Sequence, residues 1–105
     1  MVVPDRGDLV LISVPRQDGE LQRTAALVVS PQRYNGKSGL ALMCAIVPRA
    51  KGYPFEVALP DGLPVRGVVL ADHLRSADWK ARETMIMGRA PTDVVDDVLA
   101  KLKPL

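Results

Sequence analysis

Apolar residues along this chain come in short β-branched runs separated by glycine, proline and charged residues. That punctuation predicts strands over most of the sequence. The runs at 9–14, 25–30, 40–47, 55–59 and 67–71 read as five strands, with a short sixth at 84–87. The first two are joined by the polar loop PRQDGELQR, and PQRYNGKSG after the second carries an Asn-Gly dipeptide that predicts a tight turn. Pro54 has no N–H to donate, so its strand begins there or lies at a sheet edge. Several short strands with turns between them fit a small barrel or a strongly bent sheet.

Only the tail has a helical period. In TDVVDDVLAKLK, Val94, Val95, Val98, Leu99 and Leu102 fall on one face. Thr92, after Pro91, is placed to cap the helix, and early aspartates and late lysines suit its dipole. The expected class is therefore mainly β (α+β), closed by a C-terminal amphipathic helix.

At 105 residues the chain supports one modest core, and no repeat or linker divides it, so residues 1–105 are expected to form a single domain. A composition of 48% hydrophobic and 25% charged residues is ordinary for a globular protein. The start, MVVPDRGD, has acid and glycine where a signal peptide needs an apolar stretch, and no apolar run is long enough to span a bilayer. A cytoplasmic location and no membrane contact are expected. The single cysteine, Cys44, rules out an internal disulfide and reads as a buried, inert thiol within LALMCAIV. Net charge is +2, yet residues 16–51 hold Arg16, Arg23, Arg33, Lys37, Arg49 and Lys51 against only Asp18 and Glu20. Such a segment is either a solvated surface or a local attractor for a polyanion.

Most catalytic chemistry is missing. There is no phosphate-binding glycine loop, no metal-ligand cluster, and one histidine, His73, which reads as structural or solvated. What remains is arginine. Arg23 stands just before the apolar run 25–29, at the mouth of a loop on a rigid support. A guanidinium is a poor base but a good clamp for a phosphate whose charge grows in a transition state; the bland alternative is a surface ion pair.

One heptapeptide sharpens the picture. KGYPFEV, residues 51–57, holds two of the chain's four aromatic residues. Its rings read as core and interface packing rather than a base-stacking platform, with Phe55 in the core and Tyr53 less firmly placed. Taken in order, GDLVLISV, an arginine before ALVVSP, YNGKSG, KGYPFEV, GVVLADHLRS with Trp79, and the closing helix resemble the MazF/PemK/Kid family of toxin–antitoxin ribonucleases. The match runs from about Pro4 to the C-terminus.

The resemblance implies a small SH3-like PemK-type β-barrel with a C-terminal helix, forming a homodimer. It implies a sequence-specific endoribonuclease that needs no metal or other cofactor and cuts single-stranded RNA. The RNA's own 2′-hydroxyl would be the nucleophile, leaving 2′,3′-cyclic phosphate and 5′-hydroxyl ends. A MazE-type antitoxin with an acidic segment would block the basic groove. Arg23 matches the family's catalytic arginine. Thr24 stands where the family usually has proline and adds a hydroxyl. Glu20 matches a loop glutamate and is either a general base or a solvated carboxylate. Arg16, Ser30, Arg49, Lys51 and Arg75 are candidate RNA contacts; Arg75 and Arg82 alternatively pair with Asp72 or Asp78. Trp79 reads as packing.

The departure from the family lies in the third strand. Its Pro-x-Thr element is absent, and ungapped alignment on Lys51 puts Val47 at the threonine. Either Thr24, Ser30 or another group supplies the missing hydrogen bond, or the protein binds RNA or antitoxin without efficient cleavage. The retained Arg23 argues for activity. A gyrase poison of the CcdB type is disfavoured, since the chain ends KLKPL rather than Trp-Gly-Ile, and a peptide-binding SH3-like module lacks the aromatic cluster it needs.

Overall fold

Leu9 and Val10 are neighbours on one strand, both fully buried, and side chains alternate across a strand; the sheet therefore carries a core on each face. The computed structural model describes residues 2–105; Met1 lies outside the described residues. The elements are β1 (Asp8–Pro15), β2 (Leu21–Val28), α1 (Gln32–Ser38), β3 (Leu40–Val47), β4 (Glu56–Ala58), β5 (Val68–Asp78), β6 (Met85–Arg89) and α2 (Thr92–Leu102). All six strands form one sheet in the order β4-β5-β3-β2-β1-β6, with every pair antiparallel.

The sheet is bent rather than closed. Between the Cys44–Leu74 and Ile46–Val69 pairs, β5 advances five residues where β3 advances two, so Leu70 to His73 bulge out of the ladder. A second irregularity lies between Leu9 and Val10, where β1 meets β6. The edges, β4 and β6, do not pair with each other. Pro54 lies in the turn two residues before the edge strand, where its missing N–H costs no ladder bond.

One core joins Leu9, Leu27, Cys44, Ile46, Val57 and Val69 to the inner face of α2, where Val94, Val95 and Val98 are buried. Each such valine contributes roughly 1.5–3 kcal/mol. The opposite core holds Val10, Val28, Met43 and Trp79. The Trp79 indole N–H donates to the Asn35 carbonyl at 2.9 Å, so this ring is a packing residue. Arg89 closes the β1–β6 edge with a 2.8 Å bond to the buried carboxylate of Asp8.

Three local expectations are corrected. The Asn-Gly stretch is not a turn but helix α1, because Asn35 is fully buried and satisfied by partners outside the helix, one of them 31 residues away. Its Nδ2 donates to the carbonyls of Pro4 at 2.8 Å and Ser30 at 3.0 Å, and the turn itself falls at Gly39, with a φ of 74°. Thr92 does not cap α2: Pro91 occupies the cap, and its carbonyl accepts from the N–H groups of both Val94 and Val95. Finally, β2 and β5 extend into polar sequence, to Leu21 and Asp78, where both faces are exposed and hydropathy gives no sign of a strand. Among the described residues no helix is long and apolar enough to cross a membrane.

Candidate active site

Strand register shows which candidate residues meet. Arg23 lies inside β2, two residues after its start, paired with Ser13 of β1. The sequence placed it in the loop ahead of the strand; the ladder continues past it to the Pro15–Leu21 pair. Continuing the β1–β6 register beyond Leu11–Met85 brings Glu83 opposite Ser13, and the Ser13 N–H donates to the Arg82 carbonyl at 2.8 Å. Arg23, Ser13 and Glu83, the last in the turn before β6, thus form a row. The small, buried Ser13 leaves room for the guanidinium to pass, and Nη1 donates to the Glu83 carbonyl at 3.3 Å.

No carboxylate pairs with Arg23 among the described residues, where the ion pairs are Arg16–Asp18, Arg89–Asp8 and Lys101–Asp97. The guanidinium is exposed, charged and anchored by one neutral oxygen. That leaves most of its five donors for a phosphate.

The connection from β1 to β2 overhangs the same end of the sheet. Its backbone closes through Arg16 N–H to Glu20 O at 2.7 Å and Gly19 N–H to Arg16 O at 3.0 Å. Arg16 pairs with Asp18 at 3.2 Å, both half-exposed, which is worth little in water. Glu20 is exposed, and its carboxylate accepts no bond from the described residues. Thr24, next to Arg23, points to the opposite face of the strand, and its hydroxyl makes a long 3.5 Å bond to the Ile12 carbonyl.

β3 delivers Val47 to this end. The β2–β3 ladder stops at Ala26–Ala45, but its register, carried on, sets Thr24 opposite Val47 and Arg23 opposite Pro48. Arg49 and Lys51 follow in an exposed loop. The close of β3 is fixed from behind by Gly67, with a φ of 125°: a Cβ there would stand 2.0 Å from the Val47 carbonyl oxygen. Arg16, Glu20, Arg23, Thr24, Arg49 and Lys51 therefore gather around one end of the sheet.

Two candidates are elsewhere. Ser30 lies beyond the far end of β2, buried, its hydroxyl donating to Asn35 Oδ1 at 2.5 Å and accepting from the Leu42 N–H at 2.9 Å. Arg75 is opposite Met43. Met43 itself pairs with Val28, five residues along β2 from Arg23, or roughly 16 Å at strand spacing. Neither Arg75 nor Arg82 pairs with Asp72 or Asp78 among the described residues; Asp78 instead accepts from the Ala81 N–H at 3.1 Å.

Cys44 is buried, and its thiol is pushed up to about 11 by burial and then by the negative charge of Asp72, so it is no nucleophile at neutral pH. Among the described residues no three His, Cys, Asp or Glu side chains gather as a metal site. Sequence reasoning missed two residues that shape this end. Among the described residues Glu83 is the one non-glycine residue with a left-handed φ, 52°, and Glu56 binds two loop amides. No local sequence signal marks Glu83.

The chain has relatives of known name and structure. The chain is 37% identical over 105 residues to the endoribonuclease toxin MazF of Escherichia coli strain K12, covering 98% of this chain and 94% of that protein. It is 33% identical over 107 residues to the endoribonuclease toxin ChpB of the same organism, covering 94% and 90%. The structure superposes on a MazE–MazF crystal structure from Deinococcus radiodurans with a TM-score of 0.94 and 49% identity, covering 99% of this chain and 96% of that one. A family model described as PemK-like, MazF-like toxin of type II toxin–antitoxin system matches residues 5–105, and the chain belongs to that family.

Proposed function

We propose that this protein is an endoribonuclease toxin that cuts single-stranded RNA at preferred sequences without a metal. The observation that carries the reading is Arg23, an exposed guanidinium held on a paired strand with no competing acid. In the reaction the ribose 2′-hydroxyl attacks the adjacent phosphorus and loses its proton, the bond from phosphorus to the 5′-oxygen breaks, and that oxygen takes up a proton. The products are a 2′,3′-cyclic phosphate and a 5′-hydroxyl. Arg23 neutralises the charge that grows on the phosphoryl oxygens. Glu20, on the loop beside it, is the carboxylate available to take a proton. Arg16, Arg49 and Lys51 hold the strand by its phosphates. Ser30, engaged inside the protein, is left out of the contact set.

A MazE-type antitoxin and a second copy of the chain complete the proposed cycle in the cytoplasm; the Deinococcus relative was crystallised with MazE. The deciding experiment incubates purified protein with a long single-stranded RNA in EDTA and maps cut sites by primer extension. Defined cuts that vanish in Arg23→Ala establish the reading. Val47 favours one second reading: it presents an aliphatic, half-buried side chain where the family has a hydroxyl. A toxin-fold protein that binds RNA or antitoxin but cuts poorly would show retention of RNA without cleavage in the same assay.

A further inference from the structure

Residues 53–55 do not continue the strand; they form a turn whose two rings separate. Phe55 packs against the core beneath α2, whereas Tyr53 is 61% exposed. Tyr53 is the most exposed of the four aromatic rings, ahead of Tyr34 at 42%, and the turn holding it is strongly braced. Glu56 accepts from two successive backbone N–H groups, Lys51 to Oε2 at 2.8 Å and Gly52 to Oε1 at 3.1 Å. Its own N–H returns to the Tyr53 carbonyl at 3.2 Å. Gly52, with a φ of 85°, supplies the left-handed step that lets consecutive amides converge on one carboxylate. Glu56 is fixed in turn by pairing with Leu70 of β5. Bonds to an ionised carboxylate are the stronger kind, so the six-residue loop has little freedom left to lose on binding.

The loop that leads from β3 into this braced turn starts beside the Arg23 row and carries Arg49, with Lys51 at the head of the turn; both are exposed and neither is in an ion pair among the described residues. An exposed ring next to unpaired cations suits a ligand with flat faces and negative charge; a protein partner's apolar surface would bury those cations at a cost. We propose that residues 51–56 are a base-stacking arm of the RNA surface. Tyr53 packs on an unpaired base, Lys51 meets the adjoining phosphate, and Glu56 is the positioning residue that aims both. The inference rests on the ribonuclease reading and adds to it a group that holds an unpaired base of the bound strand.

The test measures binding of single-stranded RNA carrying a 2′-deoxy substitution at a mapped cut site, together with kcat and KM on the cleavable strand. Tyr53→Ala should weaken binding by about ten- to a hundredfold, with the loss on KM rather than kcat and no change in melting temperature. Tyr53→Phe should restore binding, and Glu56→Gln should lose an intermediate amount. Lys51→Ala should lower the slope of log affinity against log salt by about one. Tyr53→Ala protein that binds as tightly as the unmodified protein overturns the arm. So does Tyr53→Ala protein whose RNA affinity falls only because its sedimentation shows an altered oligomer. Unmodified protein that neither binds nor cuts RNA overturns the ribonuclease reading first, and the arm with it.

Discussion

Arg23 and Glu83 stand sixty residues apart in sequence, yet the guanidinium of one rests 3.3 Å from the backbone oxygen of the other. A backbone carbonyl holds an arginine without neutralising it, which a carboxylate would do. The charge stays available for a phosphate, and the fold supplies direction at no electrostatic expense. Arg23→Ala should reduce cleavage by about a hundredfold or more, while thermal unfolding stays where it was because the side chain is exposed. Arg23→Lys should recover only part of the rate, since an ammonium cannot reach the carbonyl and clamp a phosphate as a planar fork does. Initial rates on a short RNA containing a mapped site, with melting curves on the same samples, check both outcomes.

Glu83 holds a φ of 52°, a conformation that costs an L-residue roughly 1–2 kcal/mol and glycine almost nothing. Glycine also gives the unfolded chain more freedom, by roughly 0.4–1 kcal/mol, so Glu83→Gly should stabilise by no more than about 1.6 kcal/mol. Glu83→Val, with a branched Cβ, should destabilise by about 1–2 kcal/mol and slow cleavage by moving the oxygen that anchors Arg23. Urea midpoints rank the three proteins. A midpoint for the valine variant equal to that of the unmodified protein would show that the turn carries no strain.

These two residues also show where sequence was informative. Strand β3 is legible as an unbroken eight-residue apolar run, and helix α2 because its apolar residues repeat at the helical period; both fill a core. Arg23 was legible as a site residue because it precedes such a run. Its partner was not, since a carbonyl has no side-chain signature and the contact depends on β6 lying beside β1. Helix α1 is hidden for a related reason: Asn-Gly favours a turn locally, and burial of Asn35 becomes favourable through the distant carbonyl of Pro4 together with the carbonyl and hydroxyl of Ser30. Ser30 and Arg75 cannot be separated from Arg23 in the sequence, because distance along an antiparallel sheet depends on the register. The braced heptapeptide shows the same limit, since Glu56 reaches back four and five residues to bind the loop that precedes it.

Gly67 supports the site from outside it. A Cβ there would collide with the Val47 carbonyl at 2.0 Å, and this oxygen belongs to backbone at the end of a central strand, so it cannot swing aside. Gly67→Ala should destabilise by about 2–3 kcal/mol. It should also weaken RNA binding beyond what the lost stability explains, because Val47 leads into the loop carrying Arg49 and Lys51. Chemical denaturation and RNA titration, both at a temperature where the variant is fully folded, separate the two effects.

Val47→Thr puts a hydroxyl on the face that Thr24 shares by register. The two side chains have nearly the same shape, and Val47 is only half-buried, so the stability change should stay below about 1 kcal/mol. If the site lacks one oriented donor, the variant should cut faster, by up to about a hundredfold, with little change in KM. An unchanged rate would mean that Thr24 already fills the role. In that case Thr24→Val should slow the unmodified protein, and the double variant Thr24→Val, Val47→Thr should restore it.

Cys44 gives a prediction about pH whose sign follows from its surroundings. Burial, with Asp72 adding a like charge, raises the thiol from an ordinary 9.0 to about 11. The folded protein therefore keeps the proton between pH 9 and 11, while the unfolded chain releases it. The unfolded state binds fewer protons in that window, so stability contributed by the neutral thiol is fully present below pH 9 and is lost as pH rises through 11. Cys44→Ala removes this dependence. Its absolute stability is lower because a buried group is gone, but its unfolding free energy should fall less steeply over the window than that of the unmodified protein. Iodoacetamide at pH 8 gives an independent reading: the native thiol, enclosed and protonated, should stay unlabelled for as long as the protein stays folded, and label at once in urea. Rapid labelling of the native protein would mean that the sheet opens at the Leu70–His73 bulge, the irregular stretch of β5 beside this sulfur.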